Sequence, residues 1–337
     1  MRRYFLIFIF SSISLSQKIY FNPQFEYLYQ SDSEEFAKKN ATIREYEFLL
    51  QVEYSLKKFY VLSNMGYHFI DGMAINQSDF TRSQGLSHLE NPPGLTANQR
   101  NYYISDIKIN YGDSSAFFFI NKWDKHWGPG INSLILSNKI PNFLHFGFFW
   151  KLSEKINFEY FHGKLRSRID DNKLKEYYST VESSYYEIIR NIVAHRLSRN
   201  VSDKLSISAS ELVVYAHRSI EMTYFLPFVP FFPLQGYVGD TDNVIISGEI
   251  QYSPSIYSSF YGVILIDEWS PPYTFKKDNH NWIGWQVGYS RKNFLLSESI
   301  LNIEYNWTDH RIYRHLFSGN NYYSYGYPIG FWAGPHA

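Results

Sequence analysis

Apolar and polar residues alternate most regularly at residues 45–54, which read EYEFLLQVEY. Every second residue from Tyr46 to Tyr54 is apolar, and the positions between them are polar except at Leu49. Because neighbouring side chains of a β-strand point to opposite faces, this segment predicts a strand with one apolar and one charged face. The same period recurs at residues 106–111, 204–210, 246–252 and 301–306. We therefore expect an all-β protein with little helix.

The composition excludes several classes of protein. The 337 residues include 32 Lys plus Arg and 32 Asp plus Glu, so the formal net charge is zero and nucleic acid is not expected as a partner. Aromatic residues make up 20% of the chain, which is too many for a disordered protein. The absence of Cys excludes disulfides and thiolate metal sites, and no cofactor or metal is expected.

The first residues have the pattern of an export signal. Arg2 and Arg3 precede the apolar run 4–10, and Ser14-Leu15-Ser16 supplies small residues for cleavage. We therefore predict a signal peptide at residues 1–16 and a single domain at residues 17–337. Beyond the first dozen residues, no stretch approaches the roughly 20 apolar residues of a membrane-spanning helix.

The connections between the predicted strands alternate in length. Short ones lie at 55–57, 113–114, 153–155, 198–202, 254–256 and 291–296, and long ones at 30–43, 71–101, 123–142, 168–184, 216–242 and 268–279. This parity places long loops at one end of the sheet and tight turns at the other, whereas a soluble β-sandwich has no reason to keep it. We therefore predict a transmembrane antiparallel β-barrel of about 14 to 18 strands.

In a barrel, the two faces of each strand have different surroundings. In hydrocarbon every backbone polar group must be paired, and only a closed sheet allows strands to do this without an edge. Apolar faces would contact outer-membrane lipid, and polar faces would line a lumen. The expected location is the outer membrane of a Gram-negative bacterium.

The densest unusual segment, residues 121–142, reads NKWDKHWGPGINSLILSNKIPN. Indole rings stack on sugar rings and carboxylates accept hydrogen bonds from sugar hydroxyls. Trp123, Asp124, His126 and Trp127 are therefore candidate ligand contacts. An equally supported alternative is a structural loop folded into the lumen, with Trp123 and Trp127 packed as plugs.

The motifs in and after this segment resemble those of the Wzi-type capsule assembly proteins, a family of outer-membrane barrels. The matching residues between positions 102 and 337 are Trp127–Gly130, Leu134–Asn138, Ile140-Pro141, Glu211, Val214-Tyr215, Leu226–Phe228, Asp240, Asp242, Asn243, Tyr261-Gly262 and Ile266–Glu268. The resemblance implies a lectin-like protein, without catalysis, that anchors or organises capsular or other extracellular polysaccharide. We add Asp240, Asp242 and Asp267 to the candidate ligand contacts.

Two rival functions remain open at this point. A porin or substrate-selective channel would use the same lumenal charges to line a water-filled route. An outer-membrane hydrolase is disfavoured, because no nucleophile and base pair can be identified in the sequence, so no enzymatic activity is expected.

Two segments carry further expectations. The run 222–233 is apolar but rich in proline, which excludes a spanning helix. It could pack into the barrel mouth, against a partner or against lipid headgroups, and of these we expect inward packing at the mouth. A return strand is expected after Arg311. Because the chain stops at Gly334-Pro335-His336-Ala337, either C-terminal strands are missing or the barrel closes with fewer strands.

Overall fold

The computed structural model describes residues 13–16, 19–32, 41–71, 99–177, 186–268, 271–273, 276 and 281–334. Within these ranges, fourteen strands form one antiparallel sheet in which sequence neighbours pair. They are β1 (Ile13–Ser16), β2 (Ile19–Asp32), β3 (Ala41–Leu56), β4 (Phe59–Asp71), β5 (Gln99–Gly112), β6 (Ala116–Trp123), β7 (Phe143–Ser153), β8 (Ile156–Leu165), β9 (Arg190–Asn200), β10 (Leu205–Ala216), β11 (Asn243–Ser255), β12 (Ser258–Glu268), β13 (Trp282–Lys292) and β14 (Ile300–Thr308).

The remaining regular elements are short. They are the helices α1 (Asn172–Tyr177) and α2 (Phe231–Val238), the 3-10 turns Met222–Phe225, Pro271–Tyr273 and Ser318–Asn320, and the hairpin of β15 (Tyr323–Ser324) with β16 (Tyr327–Pro328). No helix among the described residues is long and apolar enough to cross a membrane. The prediction of an all-β chain with little helix is confirmed.

The connections alternate in length as the sequence predicts. Tight turns lie at 57–58, 113–115, 154–155, 201–204, 256–257 and 293–299, and long connections at 124–142, 166–189, 217–242 and 269–281. Residues 33–40 and 72–98, which join β2 to β3 and β4 to β5, lie outside the described residues. The antiparallel sheet therefore has a long-connection end and a turn end.

The pairing register fixes which side chains share a face. On the outer face, large apolar side chains are exposed, as in a barrel wall that contacts lipid. They include Phe48, Met65, Tyr103, Tyr111, Phe118, Trp150, Ile207, Ile250, Phe260, Val287, Ile303 and Tyr305. Residues of the opposite phase, among them Glu249 and Glu304, point inward, as the alternation predicts.

The sheet curls around the connection 124–142. Lys125 of this segment pairs with Glu159 on β8, whereas Asn132 donates to Glu304 on β14 across 2.8 Å. One segment can reach walls six strands apart only if the sheet encloses it. The architecture is therefore that of a β-barrel with a segment inside its lumen.

The end of the described chain differs from the prediction of a return strand after Arg311. Residues 309–334 form no fifteenth strand of the sheet and turn into the lumen instead. Ile312, Tyr313, Tyr322 and Ile329 are buried there. The physical reason is the apolar lumenal wall near the long-connection end, which offers these side chains more burial than a further strand would.

The run 222–233 also differs from its prediction, because it packs on the outer face of the wall. Tyr224 and Phe231 are buried against β8–β11, on the side opposite the lumen. At the other terminus, Ile13–Ser16 pairs with β2, and residues 1–12 lie outside the described residues. The signal peptide at 1–16 stays a prediction.

The first testable prediction concerns the two ends of the barrel. The chain has no Cys, so single cysteines can be placed at Lys173 in α1 and at Asp203 in a tight turn. In sealed vesicles with the barrel inserted in one orientation, an impermeant maleimide should label K173C or D203C, but never both, from the outside. Labelling of both from one side would contradict the topology.

Candidate functional site

Two segments, residues 124–142 and 309–334, fill the lumen near the long-connection end, and together we call them the lumenal plug. Their apolar side chains form one buried cluster with the inner faces of β6–β12. The plug members include Trp127, Leu134, Ile135, Leu136, Tyr313, Tyr322, Ile329 and Phe331, and the wall members include Phe161, Ile192, Leu212, Val214 and Leu265. The lumen is therefore narrowed by a packed core.

The Trp-Gly-Pro-Gly turn places the backbone of the plug against the carboxylate of Glu304 on the lumenal wall. Glu304 accepts hydrogen bonds from the backbone N–H of Ile131 at 3.0 Å and of Asn132 at 3.3 Å, and from Tyr261 Oη at 2.8 Å. A Cβ at Gly130 would overlap the Glu304 carboxylate, so a larger residue here would push that side chain from its present position. Gly128, with φ of 128°, supplies the left-handed conformation that turns the chain.

Buried polar contacts join the two plug segments to each other and to the wall. The hydroxyls of Tyr313 and Tyr322 donate to the carbonyls of Leu134 and Ile135. Arg190, on the inner face of β9, donates to the carbonyls of Ser318, Gly319 and Tyr323 at 3.1, 2.7 and 2.9 Å. Because a buried polar group without a partner is costly, these contacts hold the two segments as one unit.

Charged side chains line the wall below the plug, toward the turn end. Lys125 pairs with Glu159, which also accepts from Trp127 Nε1 at 3.2 Å. Arg196 makes a two-point contact with Glu249, with distances of 2.7 and 2.6 Å. A polar pocket of about 230 Å³ lies here, lined by His126, Trp127, Asn157, Glu159, Arg196 and Ser198.

The predicted contacts of the 121–142 segment occupy different environments. Trp123 and Asp124 are half-buried at the end of β6, and the Lys108 ammonium lies 4.9 Å from the Trp123 ring centroid. His126 lies 3.1 Å from the Gly130 carbonyl, and burial lowers the pKa of its imidazole. Trp127 is only 5% exposed and packs edge-on against Phe161, as the structural alternative for this loop predicts.

The predicted acidic contacts are spread over both sides of the wall. Asp267 is buried and accepts the backbone N–H of Tyr313 in the plug. Asp242, on the outer face, is bound by Arg218 at 2.9 and 2.5 Å. Asp240 is exposed at a left-handed position, with φ of 56°. The structure does not bring all these residues to one site, and their role as ligand contacts stays a prediction.

Several residues of the lumenal site were not named as candidates from the sequence. Glu249 and Glu304 lie on polar strand faces that the alternation identifies, but nothing local shows that the plug binds Glu304. Glu159 and Arg196 lie on strands with less regular alternation. A charged residue in the middle of a long strand is the signal that could have found them. Among the described residues, no cluster of three or more His, Asp or Glu side chains could hold a metal ion.

Comparisons with known proteins give no family assignment. No family model matches the chain, and no curated protein matches it. Among solved structures, the chain is similar to OpdQ of Pseudomonas aeruginosa, with 12% identity, a TM-score of 0.34 and coverage of 92% of this chain and 81% of that chain. It is also similar to OccK11 (OpdR) of Pseudomonas aeruginosa, with 10% identity, a TM-score of 0.36 and coverage of 86% and 76%.

The second prediction tests the contact between the two plug segments. The Tyr313→Phe variant loses the hydroxyl that donates to Leu134 and accepts the N–H of Phe331 at 3.0 Å. Leaving two buried groups unpaired should destabilise the docked plug by about 1 to 3 kcal/mol. Limited proteolysis should then cut residues 309–334 faster than in the parent, while the exposed outer-face control Tyr305→Phe behaves like the parent. Equal cutting rates in all three proteins would count against the plug.

Proposed function

We propose that the protein is a channel of a Gram-negative outer membrane, through which small polar solutes cross a lumen narrowed by the plug. The outward belt of exposed apolar and aromatic side chains supports the membrane location, because such a surface would be costly in water. The proposal includes no catalytic step.

The observation that carries the proposal is the polar character of the lumenal face away from the plug. Gln51, Glu53, Asn64, Lys108 and Asn110 point inward from β3–β5 and are half-exposed. Acidic, basic and amide side chains are all present on this wall, which suits a hydrated route without a strong preference for one sign of charge.

The way the plug is attached also supports a channel. Toward β8–β12 it is held by a buried apolar core, whereas its turn at 130–132 is held to β13 and β14 by hydrogen bonds. Gln286 on β13, for example, donates to the carbonyl of Asn132 at 2.8 Å. Water can replace such bonds with little net loss of free energy, so the contact with β13 and β14 is the one that can open.

Polysaccharide binding, as the resemblance to capsule assembly proteins implies, is the second candidate function. The observation that favours it is the half-buried Trp123 indole, which has the Lys108 ammonium 4.9 Å from its ring centroid and the half-buried Asp124 next to it in the chain. This combination suits a sugar ring with a polar rim. The ligand would be a capsular or other extracellular polysaccharide.

The third prediction tests the channel through its plug. Glu304→Ala removes the acceptor for Ile131 and Asn132, and Gly130→Ala places a Cβ where that carboxylate lies. If each change weakens the contact by about 1.4 kcal/mol, the released state becomes about tenfold more populated. In planar bilayers, both variants should show larger or more frequent conductance steps than the parent.

The control for these recordings is Glu154→Ala, which alters an exposed turn residue far from the plug. Its conductance should equal that of the parent. If neither the parent nor the two plug variants conducts, although heat-modifiable migration shows folded barrels, the channel proposal fails.

The fourth prediction tests polysaccharide binding. Trp123→Ala should remove aromatic stacking worth about 0.5 to 1.5 kcal/mol and weaken retention of polysaccharide on cells several-fold. Asp124→Ala should act in the same direction. The matched control is Trp150→Ala, which removes an outward-facing indole from the next strand, β7. Retention at the level of the parent in both lumenal variants would rule out this site.

A further inference from the structure

The connection 217–242 lies along the outer face of β7–β11, and we call it the outer strap. His195, Val213 and Tyr215 are in the outward phase of their strands, opposite in direction to Ala194, Leu212 and Val214. The strap covers them, with the Phe231 ring stacked 4.2 Å from the His195 ring. A segment at the long-connection end thus returns over the membrane-facing wall.

The strap supplies partners for polar groups that would otherwise face hydrocarbon. Tyr160 Oη donates to the carbonyl of Tyr224 at 2.9 Å, and Asn191 Nδ2 donates to the carbonyl of Arg218 at 3.1 Å. Tyr215 Oη accepts the N–H of Glu221 at 3.0 Å. These contacts fix the strap against the wall, since an unpaired polar group in lipid is costly.

A histidine and a glutamate side chain hold the lower edge of the strap. His195 Nδ1 lies 2.8 Å from the carbonyl of Pro227, and its Nε2 lies 3.0 Å from Glu211 Oε2. A carbonyl can only accept, and the same Glu211 oxygen also accepts the N–H of Phe231 at 2.6 Å. The His195 ring thus bridges the strap carbonyl and Glu211, and Glu211 in turn accepts the strap N–H, so the two side chains hold the strap at two points.

Between this edge and the wall lies a groove of about 460 Å³. Its lining is predominantly apolar, with Phe158, Leu197, Ala209 and Ile246 on the wall and Phe228 and Pro230 on the strap. Phe228 packs on Phe158, with 4.7 Å between ring centroids, but remains 59% exposed. The groove opens outward, away from the lumen.

We propose that this groove is a binding site for one acyl chain of a membrane lipid. The groove is continuous with the apolar belt of the barrel, because its rim residues Leu152, Leu197 and Phe228 are exposed beside Trp150 and Ile207. Its surroundings are therefore alkyl chains, and a recess among them loses dispersion contacts unless a chain fills it. The proposal rests on the membrane location of the barrel and is independent of conduction through the lumen.

The probe is a phosphatidylethanolamine with a diazirine on one acyl chain, incorporated with the full-length protein into phosphatidylethanolamine vesicles. After illumination, mass spectrometry locates the labelled residues. Labels should concentrate on the groove residues of β9, β10 and the strap, relative to the outer face of β12 and β13, where Phe260 and Tyr289 lie.

Two variants change the groove in different ways. Ala209→Trp fills it from the wall, and Phe228→Ala removes its strap side without altering any strand. Because each methylene buried in the groove contributes to affinity, either change should reduce labelling of the groove by about tenfold. Phe232→Ala, which truncates an equally exposed strap residue outside the groove lining, should label like the parent.

Three results would overturn the proposal. Labels could be spread evenly over the outer wall, or groove labelling could persist in both Ala209→Trp and Phe228→Ala. Groove residues could also carry no lipid adduct at all in the parent protein, which would show that an acyl chain does not occupy the groove. Conductance recorded on the same vesicles is a separate measurement, so failure of the channel proposal would be distinguished from failure of this one.

Discussion

The whole structure depends on strands whose apolar side chains face lipid and whose polar side chains face the lumen. In one part of the wall the polarity of the two faces is reversed. Near the long-connection end of β8–β10, the lumenal side chains are apolar, as at Phe161 and Leu212, whereas the lipid side carries His162, His195 and Glu211. Without a cover, the apolar lumenal side chains would contact water and the polar side chains of the outer face would contact hydrocarbon. Placing polar groups in hydrocarbon is the more costly of the two. The wall can exist only if both faces are covered.

The plug and the outer strap are the two covers, and they meet at the rim of the barrel. Asn320 of the plug donates to the carbonyl of Thr241 in the strap at 2.6 Å. Arg190, at the start of β9, holds the plug backbone at Ser318 on the inner face, while its neighbour Asn191 holds the strap on the outer face. Adjacent residues of one strand thus bind the two covers, so loosening one should affect the other.

The sequence predicts the strand faces where the alternation is regular, and it fails where the wall is reversed. Residues 46–54, 246–252 and 301–306 have the predicted orientation, because each face meets the environment that its own residues favour. At Glu211 the pattern no longer predicts the surroundings of the side chain, since this residue is in phase with the lipid-facing Ile207 and Ala209. A carboxylate in that phase requires a cover, but no local pattern identifies residues 227–231 as that cover. The capsule-family resemblance stays a prediction.

The same physics explains why a filled lumen is compatible with transport. Moving the plug off β8–β12 would expose a continuous apolar core, at about 25 cal/mol for each Å². Separating its turn at 130–132 from β13 and β14 would exchange hydrogen bonds for bonds to water, at a net cost of about 1.5 to 3 kcal/mol for each bond to the Glu304 carboxylate and about 0.5 to 1.5 kcal/mol for that of Gln286. The plug therefore has a fixed side and an exchangeable side. A solute route beside the turn at 130–132 needs only these exchangeable contacts to open, and the rest of the plug keeps its packed core against β8–β12.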